Sequence, residues 1–207
     1  MAELTMVEAI NRALNEAMAA DEAVVVLGQD VGVDGGVFRV TDGLLDRFGE
    51  ERSVDTPLAE SVIVGASIGM AVAGLKPVCE MQFSGFSYFS FAQVESHAAR
   101  LRWRTRGALT VPLVIRMPYG AGVRALEHHS ESREIYYAHT PGLKVVMPSG
   151  PRMARALLRT AIEDPDPVVF FESKLLYRSI REEVPACCRA PWRPPKSWSR
   201  RMASTAR

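Results

Sequence analysis

The chain has 207 residues, is 47% hydrophobic and carries a formal net charge of +1. That length and apolar content suffice for a full core in one domain. Residues 185–207 hold six Lys/Arg and no acid, so residues 1–184 carry 19 basic against 24 acidic side chains, which excludes a nucleic-acid footprint on the body of the protein.

In chain order, Thr5 with Glu8 forms a capping box, and Ile10, Ala13, Leu14, Ala17 and Met18 make a helical stripe. Residues 23–27 are a short continuous apolar run, typical of a buried parallel strand, and the Gly-rich residues 28–36 read as the loop at its carboxyl end. Thr56 is the predicted cap of a helix with Pro57 at its first position, running to Gly74. Gly65, Ala66, Gly69, Ala73 and Gly74 would let that helix press closely against a neighbour. A strand over 77–81 precedes the aromatic stretch 83–91 and a helix to about Arg104. Residues 111–117 form the next strand, and 118–140 a long loop bearing three of the four histidines; loops of that length inside a domain are usually functional. A strand over 144–147, a helix from Ser149 and Pro151 to about Ile162, and a strand over 168–172 complete the pattern. Alternating strands and helices predict an α/β fold, a mostly parallel sheet with helices on both faces. That domain spans 1–184. Residues 185–207, with closely spaced prolines and no periodicity, are predicted to be a disordered basic tail.

Cys79 in a predicted strand and the adjacent Cys187 and Cys188 suit neither a disulfide framework nor a zinc site, which points to a reducing compartment. No signal-peptide pattern precedes Thr5, and the most apolar stretch, 61–75, is too short to span a membrane. A cytoplasmic protein with no membrane partner is expected.

The most informative residues are Asp55-Thr56-Pro57-Leu58-Ala59-Glu60, which bring a carboxylate to the head of an otherwise apolar helix. Burial there would raise its pKa and suit it to proton exchange near neutral pH; equally, Glu60 could simply complement the helix dipole. Two other patterns mislead. Gly65-Ala66-Ser67-Ile68-Gly69 fits a nucleophile elbow but lacks an adequate preceding strand and an oxyanion loop. Gly120-Ala121-Gly122-Val123-Arg124-Ala125 mimics a dinucleotide fingerprint without the helix and acid that should follow. The basic run Arg100, Arg102, Arg104 and Arg106 reads as a solvated or subunit-facing helix end.

An ordered series of motifs adds more. Gly28-Gln29-Asp30-Val31-Gly32, Gly35-Gly36-Val37-Phe38-Arg39-Val40-Thr41, the Asp55 to Ser61 segment and Gly74-Leu75-Lys76-Pro77-Val78 begin it. Gln82-Phe83, His129-Ser130-Glu131-Ser132, the stretch from His139-Thr140-Pro141 to Val146, Asp166-Pro167-Val168 and Leu176-Tyr177-Arg178 continue it. Together they resemble the beta subunit of thiamine-diphosphate-dependent 2-oxo acid dehydrogenases, over about Thr5 to Arg178. The resemblance implies a transketolase-like pyrimidine-binding fold, C-terminally truncated, with the tail in place of a second α/β domain and a composition like out-of-frame translation of a GC-rich gene. It implies that Glu60 hydrogen-bonds the N1′ of the cofactor aminopyrimidine, with Leu58, Gln82 and Phe86 around that ring. His129 would exchange protons with the substrate-derived carbanion and help pass the acyl group to a lipoyl arm. The metal motif Gly-Asp-Gly with a downstream Asn is missing, so an alpha subunit would supply the Mg²⁺ and diphosphate site in an alpha2-beta2 assembly docked on a lipoyl acyltransferase core. A loop of Ala161, Ile162, Asp164 and Asp166, together with Leu113, resembles a structural K⁺ site. The function implied is oxidative decarboxylation of a 2-oxo acid with acyl transfer to lipoamide; the alternative is a catalytically silent fragment that acts only through subunit association.

Overall fold

Strands that are apolar along their whole length need cover on both faces, and this chain supplies it. A computed structural model describes residues 2–185; the predicted tail after 185, with Cys187 and Cys188, lies outside them. In chain order the elements are β1 (Ala2–Leu4), α1 (Met6–Ala20), β2 (Val24–Gly28), α2 (Leu44–Phe48), β3 (Ser53–Asp55), α3 (Glu60–Val72) and β4 (Lys76–Glu80). A 3-10 run (Ser84–Ser90) and a π-turn (Gln93–Ala98) lead to α4 (Leu101–Arg104) and β5 (Val114–Tyr119). Then come α5 (Glu134–Ala138), β6 (Lys144–Val146), α6 (Pro151–Ile162), β7 (Val168–Ser173), α7 (Leu176–Ser179) and β8 (Glu182–Val184).

Six strands form one parallel sheet in the order β3-β2-β4-β5-β7-β6, while β1 and β8 pair antiparallel beside it. The predicted α/β sheet is thus observed. Side-chain alternation divides the core: Val168 and Phe170 face α1 and α6, with Ile10, Leu14 and Leu158, whereas Val169 and Phe171 join Ile63, Val64 and Val94 on the opposite face. The Thr5–Glu8 capping box opens α1 as expected, Glu8 Oε2 accepting from the Thr5 N–H at 2.7 Å.

Two expectations are corrected. First, α3 begins at Glu60, not Pro57. The Thr56 N–H donates to the Gly28 carbonyl at 2.9 Å, and the position before a proline disfavours helix, so 56–59 stay outside it. Second, the helix predicted to follow the aromatic stretch and reach Arg104 is split into the π-turn and α4, and the aromatic stretch itself is the 3-10 run. Ser87 and Ser90 turn their hydroxyls back onto the Ser84 and Ser87 carbonyls at 2.5 and 3.1 Å, a three-residue repeat that suits 3-10 geometry. The small-residue stripe of α3 lies near Gln93 at Gly65 and is otherwise open, with Val62, Ala66, Gly69 and Ala73 exposed.

An ion group sits inside the sheet. Arg116 on β5 binds Glu172 on β7 through two bonds of 2.6 and 2.8 Å and Glu80 on β4 through one of 2.6 Å, and the Tyr177 hydroxyl donates to Glu172 at 2.6 Å. All four are buried. Burial raises the Glu80 carboxyl above its ordinary range, against the pull of Arg116. A second group joins α1 to α6, where Glu16 accepts from Arg155 and Arg159 at 2.6 and 2.8 Å.

Arg116→Met should cost about 3–5 kcal/mol in urea denaturation, because two buried carboxylates lose their counter-charge. The raised Glu80 carboxyl binds a proton more tightly folded than unfolded, so this deficit should shrink as pH falls; a deficit independent of pH would contradict the charge argument. For Glu16, burial pushes the carboxyl up, and the bonds from Arg155, Arg159 and Arg12 more than reverse that, leaving it lowered. Its contribution is therefore present above the ordinary glutamate pKa and lost as pH drops through the lowered one. Glu16→Gln should remove roughly 2 kcal/mol at neutral pH and flatten the acid limb of melting temperature against pH.

Candidate active site at the carboxyl edge of the sheet

In an open parallel sheet, ligands bind where the chain leaves the carboxyl ends of strands on opposite sides of the first one. Here β3 lies to one side of β2 and β4 to the other. The crevice between the ends of β2 and β4 is therefore the place to look.

The loop after β2 is held from two sides. The Asp55 carboxylate, at the end of β3, accepts from the Gly32 N–H at 2.6 Å and the Val33 N–H at 3.0 Å. It comes so close that a Cβ on residue 32 would lie 2.8 Å from its Oδ2, so any larger residue would push the carboxylate away. From the other side, Gln82 Nε2, just past β4, donates to Asp30 Oδ2 at 2.8 Å. Glu60 stands in the first turn of α3, only 8% exposed, and its carboxylate accepts no hydrogen bond from another described residue. The Ser61 hydroxyl donates to the Phe89 carbonyl, which pins that first turn to the 3-10 run. Leu58 is 65% exposed beside it.

The 3-10 run presents Phe86, which with Phe83 flanks the His129 ring: centroid separations are 5.1 Å and 4.6 Å, both edge-to-face. Residue 85 lies against the His128 backbone so closely that only glycine fits. Ser84 donates to the Glu131 carbonyl at 2.8 Å and docks the same loop. His129 Nδ1 lies 3.2 Å from the Glu127 carbonyl; a carbonyl only accepts, so in the neutral ring Nδ1 carries the hydrogen and Nε2 keeps its lone pair. His128 is exposed, 3.5 Å from Glu131, and gains no comparable setting.

Leu58, Glu60, Gln82, Phe86 and His129 thus share one edge, reached through α3, β4 and the loop after β5. A buried carboxyl without a partner, a partly exposed amide and an aromatic ring fit a polar heteroaromatic ring such as an aminopyrimidine. Sequence reasoning quoted Asp30, Asp55 and Phe83 only within their motifs, with no role of their own, and missed Lys174. Lys174, after β7 and 7% exposed, donates from Nζ to the His129 carbonyl and lies 5.0 Å from the Phe83 centroid. Burial lowers its pKa, and no described carboxylate pairs with it.

The K⁺ set is at the other edge, and its two side-chain carboxylates are paired with protein cations. Lys144 Nζ binds Asp164 at 2.5 Å and Asp166 at 3.5 Å, and Arg102 Nε binds Asp166 at 2.5 Å. The Leu113 carbonyl accepts from the Val168 N–H and the Ala161 carbonyl from the Asp164 N–H, at 2.9 and 3.2 Å, while Ile162 is buried. Among the described residues no cluster of His, Cys, Asp and Glu could hold a metal. The two lookalikes fail as expected: Ser67 is buried in mid-helix, donating to the Ile63 carbonyl at 2.7 Å, and no helix follows 120–125 before α5. No described helix is long and apolar enough to cross a membrane.

Comparison with known proteins shows the family. The family model described as transketolase, pyrimidine binding domain, matches residues 2–179. The pyruvate dehydrogenase E1 component subunit beta of Acholeplasma laidlawii is 56% identical over 186 residues, covering 90% of this chain and 57% of that protein. The 3-methyl-2-oxobutanoate dehydrogenase subunit beta of Mycobacterium tuberculosis is 59% identical over 174 residues, covering 84% and 50%. The 2-oxoisovalerate dehydrogenase subunit beta of Bacillus subtilis is 50% identical over 186 residues, covering 90% and 57%. The chain spans about half the length of the curated relatives it matches. A solved split gene transketolase, an inactive beta4 tetramer, superposes with a TM-score of 0.64 at 20% identity, over 83% of this chain and 51% of that one, a likeness of fold.

Lys174→Met should loosen the 120–133 loop without unfolding the sheet. Losing one charge-assisted bond predicts roughly tenfold faster amide exchange around His129 to Glu131, measured by deuterium uptake; unchanged protection there would mean that Lys174 does not hold the loop.

Proposed function

We propose that this chain, which belongs to the transketolase pyrimidine-binding domain family, forms the pyrimidine-holding side of a thiamine diphosphate site in the decarboxylating component of a 2-oxo acid dehydrogenase. The observation that carries this reading is Glu60: a buried carboxyl, without a partner among the described residues, at the carboxyl edge beside Gln82 and the Phe86–His129 pair. The names of the relatives support the substrate class, since both pyruvate and branched-chain 2-oxo acid enzymes occur among them.

When bound, thiamine diphosphate supplies the carbon nucleophile that adds to the 2-oxo carbonyl. Glu60 shares a proton with ring N1′, and low-dielectric surroundings strengthen that bond. Leu58 and Phe86 offer apolar contact to the ring, and Gln82 an amide. His129, with its Nε2 lone pair, accepts or returns a proton on the substrate side, and its flanking rings limit how far the imidazole can turn.

Several further elements follow from the same reading. An alpha subunit supplies the Mg²⁺ and diphosphate site in an alpha2-beta2 assembly, and the acyl group passes to the lipoyl acyltransferase core of a cytoplasmic complex. The exposed small-residue stripe of α3 and the exposed Leu58, Val62 and Phe89 beside it support cover by another subunit.

In the complex with its alpha subunit, Glu60→Gln should lower decarboxylation by roughly 10²–10³-fold, while melting temperature hardly moves. If Glu60 served only the helix dipole, the same variant would lose about 0.3–1 kcal/mol of stability and keep wild-type turnover. Steady-state rates beside thermal melts separate the two.

A further inference from the structure

We propose that Arg133 is a positioning residue for His129: it lies over two tyrosine rings, holds the Glu131 carboxylate, and so seats the strap of residues 128–133 on the 3-10 run and sets where the imidazole stands. This rests on the role given to His129 above.

The strap follows the run contact by contact. Ser84 donates to the Glu131 carbonyl at 2.8 Å, Gly85 lies against the His128 backbone, and Phe86 meets the His129 ring edge-to-face. The Ser87 carbonyl accepts from the Tyr137 hydroxyl at 3.4 Å. Tyr88 ends the series: the Arg133 guanidinium lies over its ring, 3.8 Å from the centroid, and over the ring of Tyr136 in α5, 4.6 Å from that centroid. A 3-10 helix repeats every three residues, so positions 85 and 88 share a face, and that face grips the strap near each of its ends.

Glu131 is the hub between those ends. Arg133 Nη1 donates to its Oε2 at 2.9 Å, and its other carboxylate oxygen lies 3.5 Å from His128 Nδ1. The Glu131 carbonyl takes the Gly120 N–H at 2.9 Å as well as the Ser84 hydroxyl, so the start of the long loop is tied to its end. His128 has φ +67°, a left-handed conformation uncommon for a residue with a side chain, and such a turn persists only where its surroundings hold it. It immediately precedes His129, so relaxing the turn carries the imidazole away from Phe83 and Phe86.

The pair is not an ordinary surface contact. Arg133 is only 8% exposed, although Tyr88 and Tyr136, whose rings it lies over, are each more than half open. A solvated Arg–Glu pair adds little order, because both side chains remain free to move. A guanidinium withdrawn from water onto two ring faces has a fixed place, and it fixes Glu131 with it.

The test is steady-state turnover in the complex with the alpha subunit, with pyruvate and 3-methyl-2-oxobutanoate as substrates, thiamine diphosphate, Mg²⁺ and a dye as electron acceptor. Arg133→Met, of similar length but uncharged, should lower kcat about tenfold through misplacement of the imidazole. The KM for thiamine diphosphate should stay within about twofold, because the cofactor contacts are untouched. Arg133→Lys keeps a cation for Glu131 and should remain within about threefold of wild type. In a His129→Ala background Arg133→Met should lower turnover no further, since nothing is left to position; a merely structural role would add its loss to that of His129→Ala. Should Arg133→Met fail to assemble, Tyr136→Leu removes one of the two rings and should show a fall of about threefold with the same non-additivity. An unchanged kcat in Arg133→Met (or in Tyr136→Leu where that replaces it), or additive losses in the double variant, overturns the proposal. Wild-type turnover in His129→Ala, or none in the unaltered complex, overturns the reading of the site instead.

Discussion

Arg116 lies in the middle strand of three whose carboxyl ends carry the site, and it binds the strands on both sides through their carboxylates. Glu80 is its direct neighbour in the β4–β5 register, while Glu172 reaches it from β7. Two residues past Glu80 comes Gln82; two past Glu172 comes Lys174; and β5 runs out into the loop with His129. Movement of one strand end relative to another would break a bond between groups that have no water to replace it, and that penalty keeps the spacing of the site constant. The arrangement is costly to bury, carrying two carboxylates to one guanidinium, and Tyr177 adds a hydroxyl donor on the more heavily loaded Glu172.

Rigidity below the edge contrasts with the surface above it. The loops after β2 and β5 have little regular structure, and side-chain clamps hold them: Asp55 and Gln82 on the first, Ser84 and Lys174 on the second. Each clamp joins a loop to a strand end or to the 3-10 run, so loop geometry is inherited from the sheet. The same edge exposes Leu58, Val62 and Phe89, while the opposite face of the sheet is closed by α1 and α6. A domain with one finished side and one apolar working edge is suited to sharing a site with a second protein surface.

Lys144 shows what residue order leaves out at the Asp164–Asp166 turn. Asp164 and Asp166 supply oxygen donors at a turn, and a hard cation is a natural partner for them. Folding brings an ammonium and a guanidinium to those carboxylates instead, with Lys144 entering from β6 twenty residues upstream.

Much of the framework could be read from residue order, because it depends on neighbours in the chain. The continuous apolar runs, the Thr5–Glu8 box and the alternation of strand and helix are local, and all are present in the fold. The candidate residues Leu58, Glu60, Gln82, Phe86 and His129 were legible through motif order, and folding puts them on one edge. What could not be read depends on contacts across the sheet. Arg116 meets partners 36 and 56 residues away, Gln82 meets Asp30 across 52, and Lys174 meets His129 across 45. Strand order alone creates these pairs, and no local propensity encodes it. The late start of α3 and the 3-10 run have the same origin: the Thr56 bond to Gly28 overrides the helical signal of Pro57, and the packing of Gly85 under His128 shapes the aromatic stretch, and both are tertiary constraints.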